Sequence, residues 1–99
     1  MTNPYDAASR PARIRERLRA HLGDAQIELV DESHLHIGHA GAREGKGHFR
    51  VRIVSARFAG LKPLQRHRLV FDALGDMMQT DIHALNITAL TPEEAAARP

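Results

Sequence analysis

Seven histidines and no cysteine stand among the 99 residues, and where the histidines fall says more than how many there are. His34, His36 and His39 form an H-x-H-x-x-H run in a stretch punctuated by Gly38, Gly41, Gly45 and Gly47. In an extended segment His34 and His36 share one face, and imidazole suits zinc, copper, nickel or iron. Spacing alone, however, reads as solvated histidines in a glycine-rich loop. His48 and His83 each open an alternating apolar run; His48 is expected to cap a hairpin or hydrogen-bond the loop before it. His67 sits inside an Arg66-His67-Arg68 triplet and is expected to fix a helix to its neighbours by a hydrogen bond. His21, near the end of a helical segment, suits the helix macrodipole and needs no further function. Without cysteine the chain forms no disulfide, gives no thiolate to a metal or cluster and has no thiol nucleophile, so any sulfur chemistry comes from a partner. No nucleophile-base-orienter set is visible, and a chain this short leaves little room for a deep cleft. Neither an enzyme nor a small-molecule substrate is expected.

The elements that position these residues follow from periodicity. A helix is expected over 63–78, where at ~100° per residue Leu64, Leu69, Val70, Phe71, Ala73, Leu74, Met77 and Met78 fill one broad arc. Gln65, Arg68, Asp72, Gly75, Asp76 and Gln79 fill the other. Arg66 and His67 project into the apolar arc; an unpartnered guanidinium there is costly, so both belong at the core margin with partners. Upstream, Ile14, Leu18 and Leu22 recur at helical spacing after an N-cap at Ser9 and a proline at Pro11, and Gly23 stops the run. The other faces of that helix carry Arg10, Arg13, Arg15, Arg17 and Arg19 against Glu16. Strands are expected over 26–33, 48–55 and 83–90, with Phe49, Val51 and Ile53 facing inward opposite Leu85, Ile87 and Ala89. Between the first two lies a long exposed loop over 34–47. Thr91, Pro92 and Glu94 make a capping-box start for a short last helix.

At 42% hydrophobic content the chain suits one domain with a modest core; it is expected to span 9–99 after a flexible tail over 1–8. No apolar run approaches the ~20 residues of a membrane span, and the N-terminal residues lack the apolar core of a secretory signal. A cytoplasmic protein without membrane contact is expected. The order α-β-β-α-β-α gives an α/β fold, an α+β sandwich whose three-stranded mixed sheet carries helices packed on it. A crossover of this length makes the last two strands parallel and right-handed. The hairpin end at His48 and the start of the third strand at His83 then fall at one end of the sheet.

GHA at 38–40, HFRVRIVS at 48–55, FAGLKPLQRHRLVFDAL at 58–74 and IHAL at 82–85 together resemble the BolA family, over about two thirds of the chain. The resemblance implies an α/β sandwich of class II KH-like topology. It also implies partnership with a monothiol glutaredoxin and a role in iron-sulfur cluster assembly, trafficking or iron regulation. Its cluster-ligand histidine falls on His83 and its variable loop ligand on His39, with His34, His36 and His48 as second-tier ligands. The R-H-R signature falls on Arg66, His67 and Arg68, a partner or nucleic-acid surface. On this reading a [2Fe-2S] cluster is shared with the glutaredoxin and its glutathione, and the isolated chain holds none. The alternative is a DNA- or RNA-binding transcriptional regulator using the basic helix or the helix-turn-helix-like segment. A single tyrosine, no tryptophan, a net charge of +2 and the absence of a GxxG loop make nucleic-acid binding weak and nonspecific on this reading.

Overall fold

Ile14, Leu18 and Leu22 lie one turn apart, and helix α1 (Arg10–Leu22) buries all three. Gly23 ends it at φ 65°, its N–H bonded to Arg19 O at 2.9 Å. Ser9 precedes the helix, but its hydroxyl accepts from Arg13 Nε at 3.2 Å and makes no cap to a backbone N–H. The computed structural model describes residues 9–33 and 46–97. The expected tail over 1–8 and the loop with His34, His36 and His39 lie outside the described residues.

Strands β1 (Gln26–Asp31), β2 (Gly47–Val54) and β3 (Ile82–Leu90) form one sheet in the order β1-β2-β3. β1 pairs antiparallel with β2, Leu29 opposite Val51. β2 pairs parallel with β3, with Phe49, Val51 and Ile53 opposite Leu85, Ile87 and Ala89, as the crossover requires. β1 stops two residues short of the expected end because Asp31 Oδ1 accepts from Ser33 N–H at 2.9 Å, turning the chain.

The crossover contains helix α2 (Pro63–Leu74) and the one-turn helix α3 (Met77–Thr80). The single helix expected over 63–78 is therefore broken. Gly75 at φ 54° donates its N–H to Phe71 O and ends α2 in a conformation that only glycine adopts without strain. The buried stripe is also narrower than the periodicity suggested: Val70, Ala73 and Leu74 are buried, whereas Leu64 is 65% and Phe71 39% exposed. Helix α4 (Pro92–Ala97) begins at a reciprocal capping box, Glu94 N–H to Thr91 Oγ1 at 3.2 Å and Thr91 N–H to Glu94 Oε1 at 2.8 Å.

Side chains of α1, α2, α3 and the inward face of β2 merge into one apolar core around Phe58, Leu18, Leu74, Val51 and Ile53. The helices thus cover one face of the sheet. On the other, Arg50 reaches Glu32 at 3.2 Å and Arg52 reaches Glu28 at 3.9 Å, beside exposed Val30, Asn86 and Thr88. Among the described residues no helix is long and apolar enough to cross a membrane.

Candidate ligand site

At the end of the sheet where the hairpin opens, pairing passes from Gly47 opposite Ile82 to His48 opposite Ala84, so His83 is an extra residue on β3. Such a bulge re-aims the side chain it carries. His83 is exposed, and its ring lies 5.0 Å from that of His48, tilted by 52°. His48 is 7% exposed. Its N–H donates to Ser33 Oγ at 3.1 Å and its carbonyl accepts from Glu32 N–H at 2.8 Å, closing the hairpin where β1 and β2 separate. Residues 33 and 46, on either side of the run with His34, His36 and His39, therefore sit at the end that carries His83. Parallel pairing brings 48 and 83 to one end; that their rings meet is visible only in the structure, because it depends on the bulge.

A groove of about 460 Å³ borders this end, lined among others by Glu32, His48, His67 and Asn86. The hydrogen bond expected to tie His67 to a neighbouring element is not made among the described residues; the residue lines this groove. The R-H-R triplet thus divides by hydrogen bonding. Arg66, 13% exposed, donates to Leu61 O at 2.9 Å, Ala89 O at 3.1 Å and Glu94 Oε1 at 2.6 Å, joining α2 to the end of β3 and the start of α4. Glu94 is correspondingly acidic, lowered to about 2 by the Thr91 N–H first and by Arg66 second. Arg68 is exposed and forms the outward part of the triplet, while His67 is half-buried and lines the groove.

The arginines of α1 also divide. Arg17 Nη1 donates to Leu74 O at 2.7 Å and to Asp76 Oδ1 at 2.8 Å, satisfying a terminal carbonyl of α2. Arg13 grips Asp81 with both terminal nitrogens, at 2.9 and 3.1 Å, and Arg10 Nε adds a third contact at 3.3 Å. These bonds, the hydrogen bond from Arg13 foremost, hold the Asp81 carboxyl below the usual carboxylate range against the opposing effect of its burial. No local pattern marks Asp81: its partners lie 68 and 71 residues away, and only its place between a short helix and an apolar strand hints at a buried acid. Arg15 and Arg19 make no ion pair among the described residues.

Among the described residues no three His, Cys, Asp or Glu side chains are grouped to hold a metal ion. What these residues offer a metal is nitrogen, an exposed imidazole at His83 beside that of His48. With no cysteine in the chain, sulfur ligands would have to come from elsewhere.

The element order, the parallel crossover and the mixed sheet define an α/β sandwich of class II KH-like topology. The chain belongs to the BolA family, whose model, described as BolA-like protein, matches residues 18–94. SufE-like protein 1, chloroplastic/mitochondrial, of Arabidopsis thaliana is 42% identical over 98 residues, covering 94% of this chain and 26% of that one. The DNA-binding transcriptional regulator BolA of Escherichia coli (strain K12) is 40% identical over 82 residues, 83% of this chain and 75% of the relative. Among solved structures, the BolA domain of SufE1 from Arabidopsis thaliana matches with a TM-score of 0.75 at 42% identity, covering 87% of this chain and 95% of that one. The chain spans between 26% and 63% of the length of several plant and mammalian relatives.

Proposed function

We propose that this BolA-like chain is an interaction protein that pairs with a monothiol glutaredoxin to hold or transfer a [2Fe-2S] cluster, with His39 and His83 as its two ligands. The observation that carries this reading is His83, an exposed imidazole on a strand bulge at the end of the sheet that also carries residues 33 and 46, the described residues on either side of His39 in the sequence. The donor chemistry fits such sharing: the chain gives imidazoles, and the partner with its glutathione gives thiolates. Replacing thiolate by histidine on one iron raises a cluster's potential and makes that ligation protonatable. His48 packs against His83 and orders the hairpin, while His67 and Arg68 give the partner a surface at the neighbouring groove. Arg66 holds the fold together behind them.

The test is to add the purified chain to a cluster-loaded monothiol glutaredoxin and follow visible absorption and circular dichroism. The proposal expects a new mixed-complex spectrum that weakens as the pH falls, since ligation requires neutral imidazole. A spectrum equal to the sum of the two components at every ratio contradicts it.

A second reading, nucleic-acid binding, has the name of the Escherichia coli relative in its favour. Arg10, Arg13 and Arg17, however, are engaged with Asp81, Asp76 and a carbonyl, which leaves Arg15, Arg19 and Arg68 as the better phosphate contacts. Such a surface supports weak, salt-sensitive binding without base selectivity. A sequence-selective complex that persists at ~200 mM salt would favour the regulator reading instead.

A further inference from the structure

Just before His83 lies a side-chain cluster to which the proposed ligand set assigns no part. Asp81, with a side chain 5% exposed, takes contacts on both carboxylate oxygens: Arg10 Nε and Arg13 Nη2 at Oδ1, Arg13 Nη1 and Thr80 Oγ1 at Oδ2. Its backbone is held as well, the N–H donating to Met77 O at 2.9 Å and the carbonyl accepting from Gly47 N–H at 2.8 Å. One residue thereby joins α1, α3, the first residue of β2 and the approach to β3. Only Ile82 separates it from His83.

From this arrangement we infer that Arg13, through Asp81, is a positioning residue for the His83 imidazole, which makes the N-terminal helix part of the ligand site's framework. The role as a ligand framework rests on the reading of His83 as a ligand; the positioning itself concerns the free chain alone. The physical reason lies in the bulge. An extra residue on a strand has no ladder partner to orient it, so its direction is set by how firmly the pairs on either side are held. On one side His48 opposite Ala84 continues the ladder. On the other, Gly47 opposite Ile82 is the last pair, and the Gly47 N–H is bonded to Asp81. A Cβ at Gly47 would lie 2.5 Å from Phe49 Cε2 and 2.9 Å from Ser33 Oγ, so any larger residue here would push those side chains aside. The last pair is pinned through Asp81, and Asp81 is pinned by the planar two-pronged grip of Arg13. Lysine, with one nitrogen, cannot reproduce that grip.

The experiment compares Arg13→Ala and Arg13→Lys with Arg17→Ala, which loosens the same helix at a different anchor. In the free folded chain at fixed pH, proton NMR reads the His83 ring resonances and their nuclear Overhauser cross-peaks to the His48 ring. Arg13→Ala is expected to move the His83 resonances and lose the cross-peaks, Arg13→Lys to do so in part, and Arg17→Ala to leave both as in the parent chain. In the glutaredoxin complex the spectrum of Arg13→Ala should shift toward that of His83→Ala. Should Arg13→Ala fail to fold, Arg13→Lys decides the matter. Unchanged ring resonances and cross-peaks in folded Arg13 variants, or equal changes in Arg17→Ala, would overturn the positioning role. Failure of the ligand reading appears separately, as a His83→Ala complex with the parent spectrum, and would leave the free-chain result standing.

Discussion

The two ends of β3 differ in what their polar groups do. At its far end Arg66, Glu94 and Thr91 bond to one another and to the carbonyls of Leu61 and Ala89, so that a basic, an acidic and a hydroxyl side chain all serve the fold. At its start Asp81 is gripped by Arg10 and Arg13, yet two residues on His83 stands exposed on a bulge beside His48. One end closes; the other is a hydrogen-bonded support beside an exposed imidazole. Residue type does not sort such side chains, since Arg66 and His83 are both basic groups, but burial and hydrogen bonding do.

If the closed end serves the fold, truncating its side chains should cost the most stability. Leu90 is 5% exposed where β3 meets α4, and Leu90→Ala should cost about 3 kcal/mol of stability in urea denaturation, from the cavity it leaves. Arg66→Ala comes next. Its loss leaves two carbonyl partners short of a charged donor in a part-buried site and should cost about 2 kcal/mol, with α4 loosening in hydrogen exchange. His83→Ala, on the exposed bulge, should stay within about 0.5 kcal/mol of the parent chain. A His83→Ala loss as large as that of Arg66→Ala would erase the distinction between the ends.

Much of this division follows from periodicity. Ile14, Leu18 and Leu22 mark a buried helix stripe, the alternation of Phe49, Val51 and Ile53 marks a half-buried strand, and the crossover length makes β2 and β3 parallel. Arg66 is legible too, because a guanidinium on an apolar arc must find partners. The break at Gly75 was hidden in a pattern that runs on through Met77 and Met78 in helical phase. Periodicity puts Leu64 and Phe71 on the buried arc because it shows which way a side chain points but not how far its neighbours reach. The bulge at His83 and the Arg13–Asp81 grip depend on a register and on partners far away in sequence, which no local pattern encodes.

Acid gives a smaller effect, confined to the closed end. Glu94, ordinarily near 4.5, is lowered to about 2, so its interactions contribute fully above about 4.5 and fade as the pH falls toward about 2. Stability measured by denaturant titration should decline across that window, and Glu94→Gln should flatten part of the decline. An identical pH slope in Glu94→Gln would show that the Thr91 and Arg66 bonds to Glu94 contribute little in solution.

On the proposed reading, the His83 end is where this chain meets a cluster. This is tested most directly by the visible circular dichroism of the mixed glutaredoxin complex formed with His39→Ala, His83→Ala, His34→Ala and His36→Ala in turn. His39→Ala and His83→Ala should each remove one iron–nitrogen bond and change the spectrum, while His34→Ala and His36→Ala should change it much less. A complex formed by both His39→Ala and His83→Ala with the parent spectrum and pH response would contradict the account, and the glutaredoxin contact would then rest on protein surface such as His67 and Arg68.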